Sequence, residues 1–555
     1  MRNGPSVGVG VQNQLEDQLE QPFIAHGERD ATTSAVPELP DSGFRWSSKP
    51  YLRYFFFTFC AAMYLLPFMR LYWNGFDEGT LVSGAVRIAH GQVFARDFFE
   101  VMGPGTFYWL AAFFKLFGVT FFAERACLFV TSLGTVLSLY FLSRRLCGRY
   151  AILPPVLLIG VYFTATWPMV NHHVDSNFFA LLSVVCIVLW HDTRRNILLF
   201  AAGALAGATT CILQPKGMLI FFAFLLWLWI ERRHARVLSA LTLVAAGYLS
   251  VGVVTLLYFW SRGALWDLVY MNVLWPSQHY GAVNSIPYGL GIFHYWANWA
   301  VPIHGIRWLI PIAVLLVIPN LFIAALPALA PILGIPQGKA NLKPEVLLYW
   351  FCGWAIWISE IHRRDIGHLV AGSPLLIVLC IHFLSKYRMK IADLSLQILA
   401  VSAGILATVN LFVALSARPV ATRVGPVAMF KPDPVLAFLD EHTRPGEEIF
   451  AYPYCPMYYF LSGTTNPTRY SLLIYNYNTV SQFQEVIRTL DRRKVRYVVW
   501  DTSFQSGAGR SLFSASTFGP AGGLLIEPYL ESQYRLVKQA GGLRIMERKA
   551  TADAN

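Results

Sequence analysis

One apolar stretch of roughly 20 residues after another runs through this chain, and that pattern excludes most folds at once. Such stretches lie near 54–73, 105–120, 125–146, 151–170, 176–190, 196–213, 217–230, 238–260, 306–335, 346–360, 366–384 and 392–415. A water-soluble domain has no place for so much continuous apolar surface, whereas a helix crossing a bilayer requires it. Counting long or broken segments with care gives roughly 11 to 13 crossings. Composition agrees: of 555 residues, 55% are hydrophobic and 14% charged, with a mean hydropathy of +0.46. The expected fold class is an α-helical polytopic membrane protein.

A net charge of +12 would suit a nucleic-acid binder, but its distribution argues otherwise. The basic residues gather in short loops, Arg194-Arg195, Arg232-Arg233-Arg236 and Lys386-Arg388-Lys390. Between apolar helices such clusters mark the cytoplasmic face. The loops near 190–196, 231–237, 337–345 and 385–391 are therefore read as cytoplasmic. Those near 171–177, 213–217, 261–305 and 361–366 are then external, as are the loop after Trp73 and the tail beyond residue 416. One stretch resists. Arg144, Arg145 and Arg149 look cytoplasmic, yet counting both 105–120 and 125–146 as crossings would put them outside. Either one of those segments is re-entrant, or the segment with Pro154-Pro155 does not cross. Asp175 falls on the outer side either way.

The eight cysteines show no spacing for a disulfide framework or a zinc site. Residues 1–50 are polar and lack a secretion signal's basic start and apolar core, so they read as a disordered cytoplasmic tail. Residues 51–416 then form the transmembrane domain, with an outer loop at 74–104. Its Trp260–His304 stretch, dense in Trp and Tyr, reads either as interfacial helices on the outer surface or as an apolar loop packed on the bundle. Residues 417–555 change character, with a linker around Ala417–Lys431 leading into a small α/β domain. Helices are expected over 433–442 and 479–494, strands over 448–452 and 495–500, and a hairpin over 534–548 turning at Gly541-Gly542.

The residues that invite chemistry sit on the outer face. Asp77 and Glu78 open a loop that also carries Arg96, Asp97 and Glu100. A surface carboxylate can take a proton from a hydroxyl as it attacks an activated carbon, and neighbouring Glu78 and Asp97 would raise one another's pKa by like-charge repulsion. Alternatively, Asp77 simply caps a helix beginning at Gly79. Asp175 is either an N-cap or a second functional acid. His172, His173 and Asp175 could hold a metal ion or make polar contacts to a substrate. Lys216, in Gln-Pro-Lys-Gly, opposes the helix dipole; it would bind phosphate or snorkel to the headgroups. In residues 362–368, His-Arg-Arg-Asp-Ile-Gly-His, Arg363 and Arg364 suit phosphate oxygens, while Asp365 and His368 share a helical face. Acids and cations on one membrane face suggest displacement of a lipid-linked phosphate by a hydroxyl or amine, the leaving phosphate being stabilised by the cations.

The residues Phe76–Gly79, the pattern Ala85…Gly91…Phe94-Ala95-Arg96-Asp97-Phe98-Phe99-Glu100 and the run Gly103–Gly118 resemble the GT-C superfamily of integral-membrane glycosyltransferases. Asp175 before a helix, Gln214–Gly217 and Arg363–Leu369 add to the resemblance, which covers roughly 54–415. The chain is similar to the bacterial branch of protein mannosyltransferase-like, aminoarabinose lipid A and rhizobial lipopolysaccharide transferases. The resemblance implies a polyprenyl-phosphate sugar donor, an inverting displacement, a periplasmic glycan, lipid or protein acceptor, and an inner-membrane location with the active site and the α/β domain facing the periplasm. It makes Asp77 the catalytic acid with Glu78 beside it, and maps a second acid onto Asp175. Asp97, Lys216, Arg363, Arg364, Asp365 and His368 become candidate substrate contacts. Some relatives bind a divalent cation and others do not. Two other readings compete: a lipid-linked glycan polymerase or ligase, for which a large Arg- and His-rich external loop is expected, and a transporter or flippase, for which midplane charges and an internal repeat are expected.

Overall fold

The computed structural model describes residues 50–72, 76–231, 237–283, 286–292, 310–335, 343–387, 389–474, 477–504 and 526–550. The chain divides into two units, Met1–Arg53 and Tyr54–Asn555. Of the first, only Pro50–Arg53 is described, so the N-terminal tail lies outside the described residues. So do 284–285 and 293–309, which take in part of the stretch 261–305 expected to be external.

The structure is mostly helical. Seven helices among the described residues are long and apolar enough to cross a membrane: Tyr51–Arg70, Phe121–Arg144, Gly148–Thr166, His172–Thr193, Val237–Ser261, Val317–Gly334 and Lys390–Ser416. Ile366–Gly372 and Pro374–Lys386, bent by 73° at Ser373, make an eighth if counted as one span. That is fewer than the 11 to 13 crossings expected, and the cause is length. The apolar stretches 105–120, 196–213, 217–230 and 346–360 fold as helices of 14, 16, 17 and 17 residues, at or below the length needed to span.

The short helix Pro104–Phe117 also removes the topological conflict. If it stays on one side, Phe121–Arg144 is the second crossing, and Arg144, Arg145 and Arg149 end on the side where the first crossing began. Ion pairs tie that basic end together: Arg145 with Asp192, and with Glu345 at 3.4 Å, and Arg149 with Asp393.

Beyond residue 417 lies the small sheet domain. The four-stranded sheet has the order β3-β4-β6-β5, built from Ile449–Tyr452 (β3), Tyr497–Asp501 (β4), Tyr534–Ala540 (β5) and Leu543–Arg548 (β6). β3 and β4 are parallel, so the chain between them must cross over, and Val480–Arg493 is its helix. That helix begins in a capping box from Thr479 and Gln482. The hairpin β5–β6 turns at Gly541, whose φ is +60°. The expected linker is more ordered than a linker: Arg418–Val420 (β1) pairs antiparallel with Val427–Met429 (β2). It is held because all three residues of β2 are buried.

This domain rests on the loop 74–104 and its flanks. Tyr72 N–H bonds to Ala428 O at 2.9 Å, Phe99 N–H to Arg469 O at 2.9 Å, and Phe121 N–H to Val424 O at 2.9 Å. Arg87 reaches Thr468 O at 2.9 Å. The two regions share one apolar core, in which Leu81, Phe94, Phe98 and Phe107 pack with Tyr452, Met457 and Phe460.

Candidate active site

Asp77 opens the helix Asp77–Ala89 rather than capping it. The N-cap is Phe76, with no side-chain cap bond, so the Asp77 carboxylate is left for another partner. That partner comes from the sheet domain: the Tyr454 hydroxyl donates to Asp77 Oδ1, and the Phe76 ring stacks on Tyr454 with centroids 5.4 Å apart. Gly79 permits the approach. A Cβ there would stand 2.4 Å from the backbone nitrogen of Met457, so any larger residue would push the helix Met457–Leu461 off the Asp77 helix. Ser83 strengthens the contact through Pro456 O at 3.2 Å.

Glu78 has a different fate. It is fully buried, and Arg125 Nη1 lies 2.5 Å from its Oε1 and 2.9 Å from Glu124 Oε1. Val170 N–H also donates to Glu78 at 3.2 Å. Arg125 Nη2 bonds to Leu71 O at 2.7 Å. The group ties the first loop to the chain before His172.

The like-charge partner expected of Asp77 is neither Glu78 nor Asp97. Asp97 is gripped by Arg96 at 2.8 Å and takes the Val93 N–H at 2.6 Å; the Arg96 bond holds its carboxyl below the usual range. It supports its own turn. Glu100 is the acid that feels Asp77. It is buried, Ser471 lies beside it, and its Oε1 has no hydrogen-bond partner. Burial above all, with some repulsion from Asp77, pushes its pKa up to about 8. Glu100 is then uncharged at neutral pH.

Asp175 lies in the first turn of His172–Thr193, where the N-cap is Asn171, whose side chain accepts the His173 N–H at 2.7 Å. The N-cap reading of Asp175 is therefore replaced. Its buried carboxyl faces Thr106 and Thr131, and its Oδ2 has no hydrogen-bond partner.

The cations form a second cluster. Lys216, wholly buried at the start of Gln214–Ile230, donates to Ser176 Oγ and Asn177 Oδ1, each at 2.9 Å, and pairs with Glu360 Oε1 at 2.7 Å. His173 Nδ1 reaches the same carboxylate at 2.9 Å, and the His368 ring lies 4.6 Å from the His173 ring. Asp365 caps Ile366–Gly372 through Gly367 and His368 N–H groups and also pairs with Arg363 at 2.8 Å and His368 at 2.9 Å. Those charges hold its carboxyl well below the usual range, against the opposing effect of burial. Glu360 went unnoticed in the sequence because it reads as the last residue of an apolar helix. Its signal was an acid among apolar neighbours, two residues before the basic cluster.

The His172 and His173 rings lie 4.0 Å apart, tilted by 39°, but Asp175 turns to the threonines. Among the described residues, no group of three or more His, Cys, Asp or Glu side chains is placed to hold a metal ion.

Residues 102–260 match the family model of dolichyl-phosphate-mannose-protein mannosyltransferase. Comparison with curated proteins gives no match. Among solved structures, ArnT from Cupriavidus metallidurans bound to undecaprenyl phosphate aligns with TM-score 0.56 and 12% identity, over 90% of this chain and 98% of that one. ArnT from the same organism in the apo state aligns at TM-score 0.49 and 11% identity over the same shares. The family model covers only part of this chain, and the likeness to ArnT at TM-score 0.56 shows a shared fold, that of a multi-pass membrane protein.

Proposed function

We propose that this protein transfers a sugar from a polyprenyl-phosphate donor to a hydroxyl or amine of a glycan, lipid or protein on the periplasmic side of the inner membrane. Asp77 is the general base. The acceptor O–H or N–H attacks the anomeric carbon, its proton passes to Asp77, and the bond from that carbon to the phosphate oxygen breaks with inversion. Polyprenyl phosphate leaves carrying the electron pair. Undecaprenyl phosphate bound to the structurally similar ArnT supports the donor class.

One observation carries the assignment of the base. Of the adjacent acids, Glu78 is neutralised by Arg125, whereas half-buried Asp77 is held only by the Tyr454 hydroxyl among the described residues. Tyr454 orients the carboxylate, and uncharged Glu100 spares it a second negative neighbour. We assign leaving-phosphate binding to Arg364, with Arg363 and His368 beside it. Arg364 has no ion pair among the described residues, while Arg363 and His368 share Asp365. Lys216 acts from beneath, by fixing Glu360 and His173. Asp175 would contact the acceptor or the sugar.

The test is donor consumption. Purified protein is offered radiolabelled undecaprenyl-phosphate sugars with membrane extract as acceptor, beside Asp77→Asn. Free lipid phosphate and label in a new product, in the wild type alone, is the expected result. Lipid movement across vesicles without turnover of any donor would overturn the transferase reading in favour of a flippase.

A further inference from the structure

A cavity of about 360 Å³ opens at the basic end of the bundle, among the residues Trp190, His191, Arg194, Trp227, Glu231 and Ser239. The proposed transfer does not use it. The 22-residue helix His172–Thr193 separates it by about 33 Å from His172 at the other end.

Three features of this cavity point to a ligand. First, it contains opposite charges that do not satisfy each other: neither Arg194 nor Glu231 forms an ion pair among the described residues, while nearby Asp192 is paired with Arg145. Second, Arg194 occupies the left-handed region with φ +56°, closing its helix through its N–H to Trp190 O at 2.8 Å. Glycine is the residue that takes this conformation without strain. An arginine there gains instead a position over the Trp190 ring, 5.0 Å from its centroid. Third, the flanks are strongly apolar and exposed: Ile197 is 68% exposed, Ile230 48% and Leu238 78%. Such flanks suit acyl chains, not water.

We propose that this cavity binds the headgroup of a phospholipid carrying both a phosphate and a primary ammonium, of the phosphatidylethanolamine type. Arg194 and the Ser239 hydroxyl take the phosphate, and Glu231 takes the ammonium. The indoles of Trp190 and Trp227, 6.5 Å apart and at 79°, wall the headgroup, and the Trp227 N–H is already committed to Pro344 O at 3.0 Å. A phosphatidylglycerol would leave Glu231 against an uncharged glycerol. A phosphatidylcholine would present methyl groups that cannot donate a hydrogen bond to it.

The test uses the full-length protein, stripped of lipid in detergent and titrated with each of the three lipids, with bound lipid read by native mass spectrometry. Phosphatidylethanolamine should bind about tenfold tighter than the other two, the worth of one charge-assisted hydrogen bond. Glu231→Gln should bring it down to the level of phosphatidylglycerol, and Arg194→Gln should weaken all three. Equal binding of the three lipids by the wild type would overturn the proposal, as would unchanged phosphatidylethanolamine binding in both variants. Displacement by soluble phosphoethanolamine at equal concentration would overturn the lipid as its source. Should a variant not yield folded protein, the ranking on the wild type decides alone.

Discussion

Asp77 and Lys216 look alike in the sequence: each is a charge at the start of a helix on the same predicted face, with an apolar run behind it. The fold treats them in opposite ways. Lys216 is wholly buried, and its ammonium meets a hydroxyl, an amide oxygen and a carboxylate within 3 Å. Asp77 stays half-buried and receives one tyrosine hydroxyl. A charge whose hydrogen-bonding capacity is used up inside the protein organises structure; one left half-buried with capacity to spare can take a further partner. The same contrast separates Asp77 from its neighbour Glu78, one residue away in the chain and locked under Arg125.

The sharpest way to break this comparison is to neutralise each charge in turn. Asp77→Asn should lower the transfer rate by about 10²- to 10⁴-fold, the range for a general base, with expression and thermal stability kept. A loss of fold instead would put Asp77 in the same structural role as Lys216. Lys216→Met should do the reverse, destabilising the protein by about 3–5 kcal/mol by leaving Glu360 buried and unpaired. The double change Lys216→Met with Glu360→Leu should restore much of that loss in a detergent melting experiment. If Lys216 instead touched the donor, the double variant would melt normally and still fail to bind it.

Smaller effects sharpen the picture. Replacing both Arg363 and Arg364 by alanine should raise the donor KM by about tenfold or more while leaving the acceptor KM near its wild-type value; an unchanged donor titration would remove their phosphate role. Tyr454→Phe should lower kcat by about tenfold, the worth of one hydrogen bond to a charged group, and chiefly kcat if the tyrosine orients the base.

Glu100→Gln should be the gentlest change and the most informative about charge. The native pKa of Glu100, about 8, lies above its ordinary 4.5. The folded state therefore holds a proton that the unfolded state releases. The stability this contributes is complete below about pH 4.5 and is lost as pH rises through about 8. Glutamine keeps the group uncharged, so melting temperatures of Glu100→Gln should decline less than those of the wild type across that window. Parallel curves would show that Glu100 is not buried as an acid.

Much of the architecture was legible in the sequence because it follows from local rules. Apolar runs announced the helical membrane class, and the basic loops marked one end of the bundle. The tail's strands and helices emerged close to their expected bounds: Pro434–His442 after its Asp433 cap, Val480–Arg493 after Thr479, and the hairpin at Gly541. The span count was less legible. Hydropathy detects an apolar helix but does not say whether 14 residues cross or dip, as at Pro104–Phe117.

The sequence alone determined that this is a helical membrane protein, and it singled out the charged residues, Asp77 among them, that invite chemistry. It did so because side-chain polarity and helical period are properties of neighbouring residues. Only the tertiary structure decided which charges are available. The sheet domain, far from the first loop in sequence, supplies Tyr454 to Asp77 across 377 positions of chain. Glu360 takes up Lys216, and Arg125 takes up Glu78. Pairing of charges depends on distances of a few ångströms between segments far apart in sequence. Those distances are fixed when the loop, the bundle and the sheet pack together, because a buried charge must find its partner there or destabilise the fold.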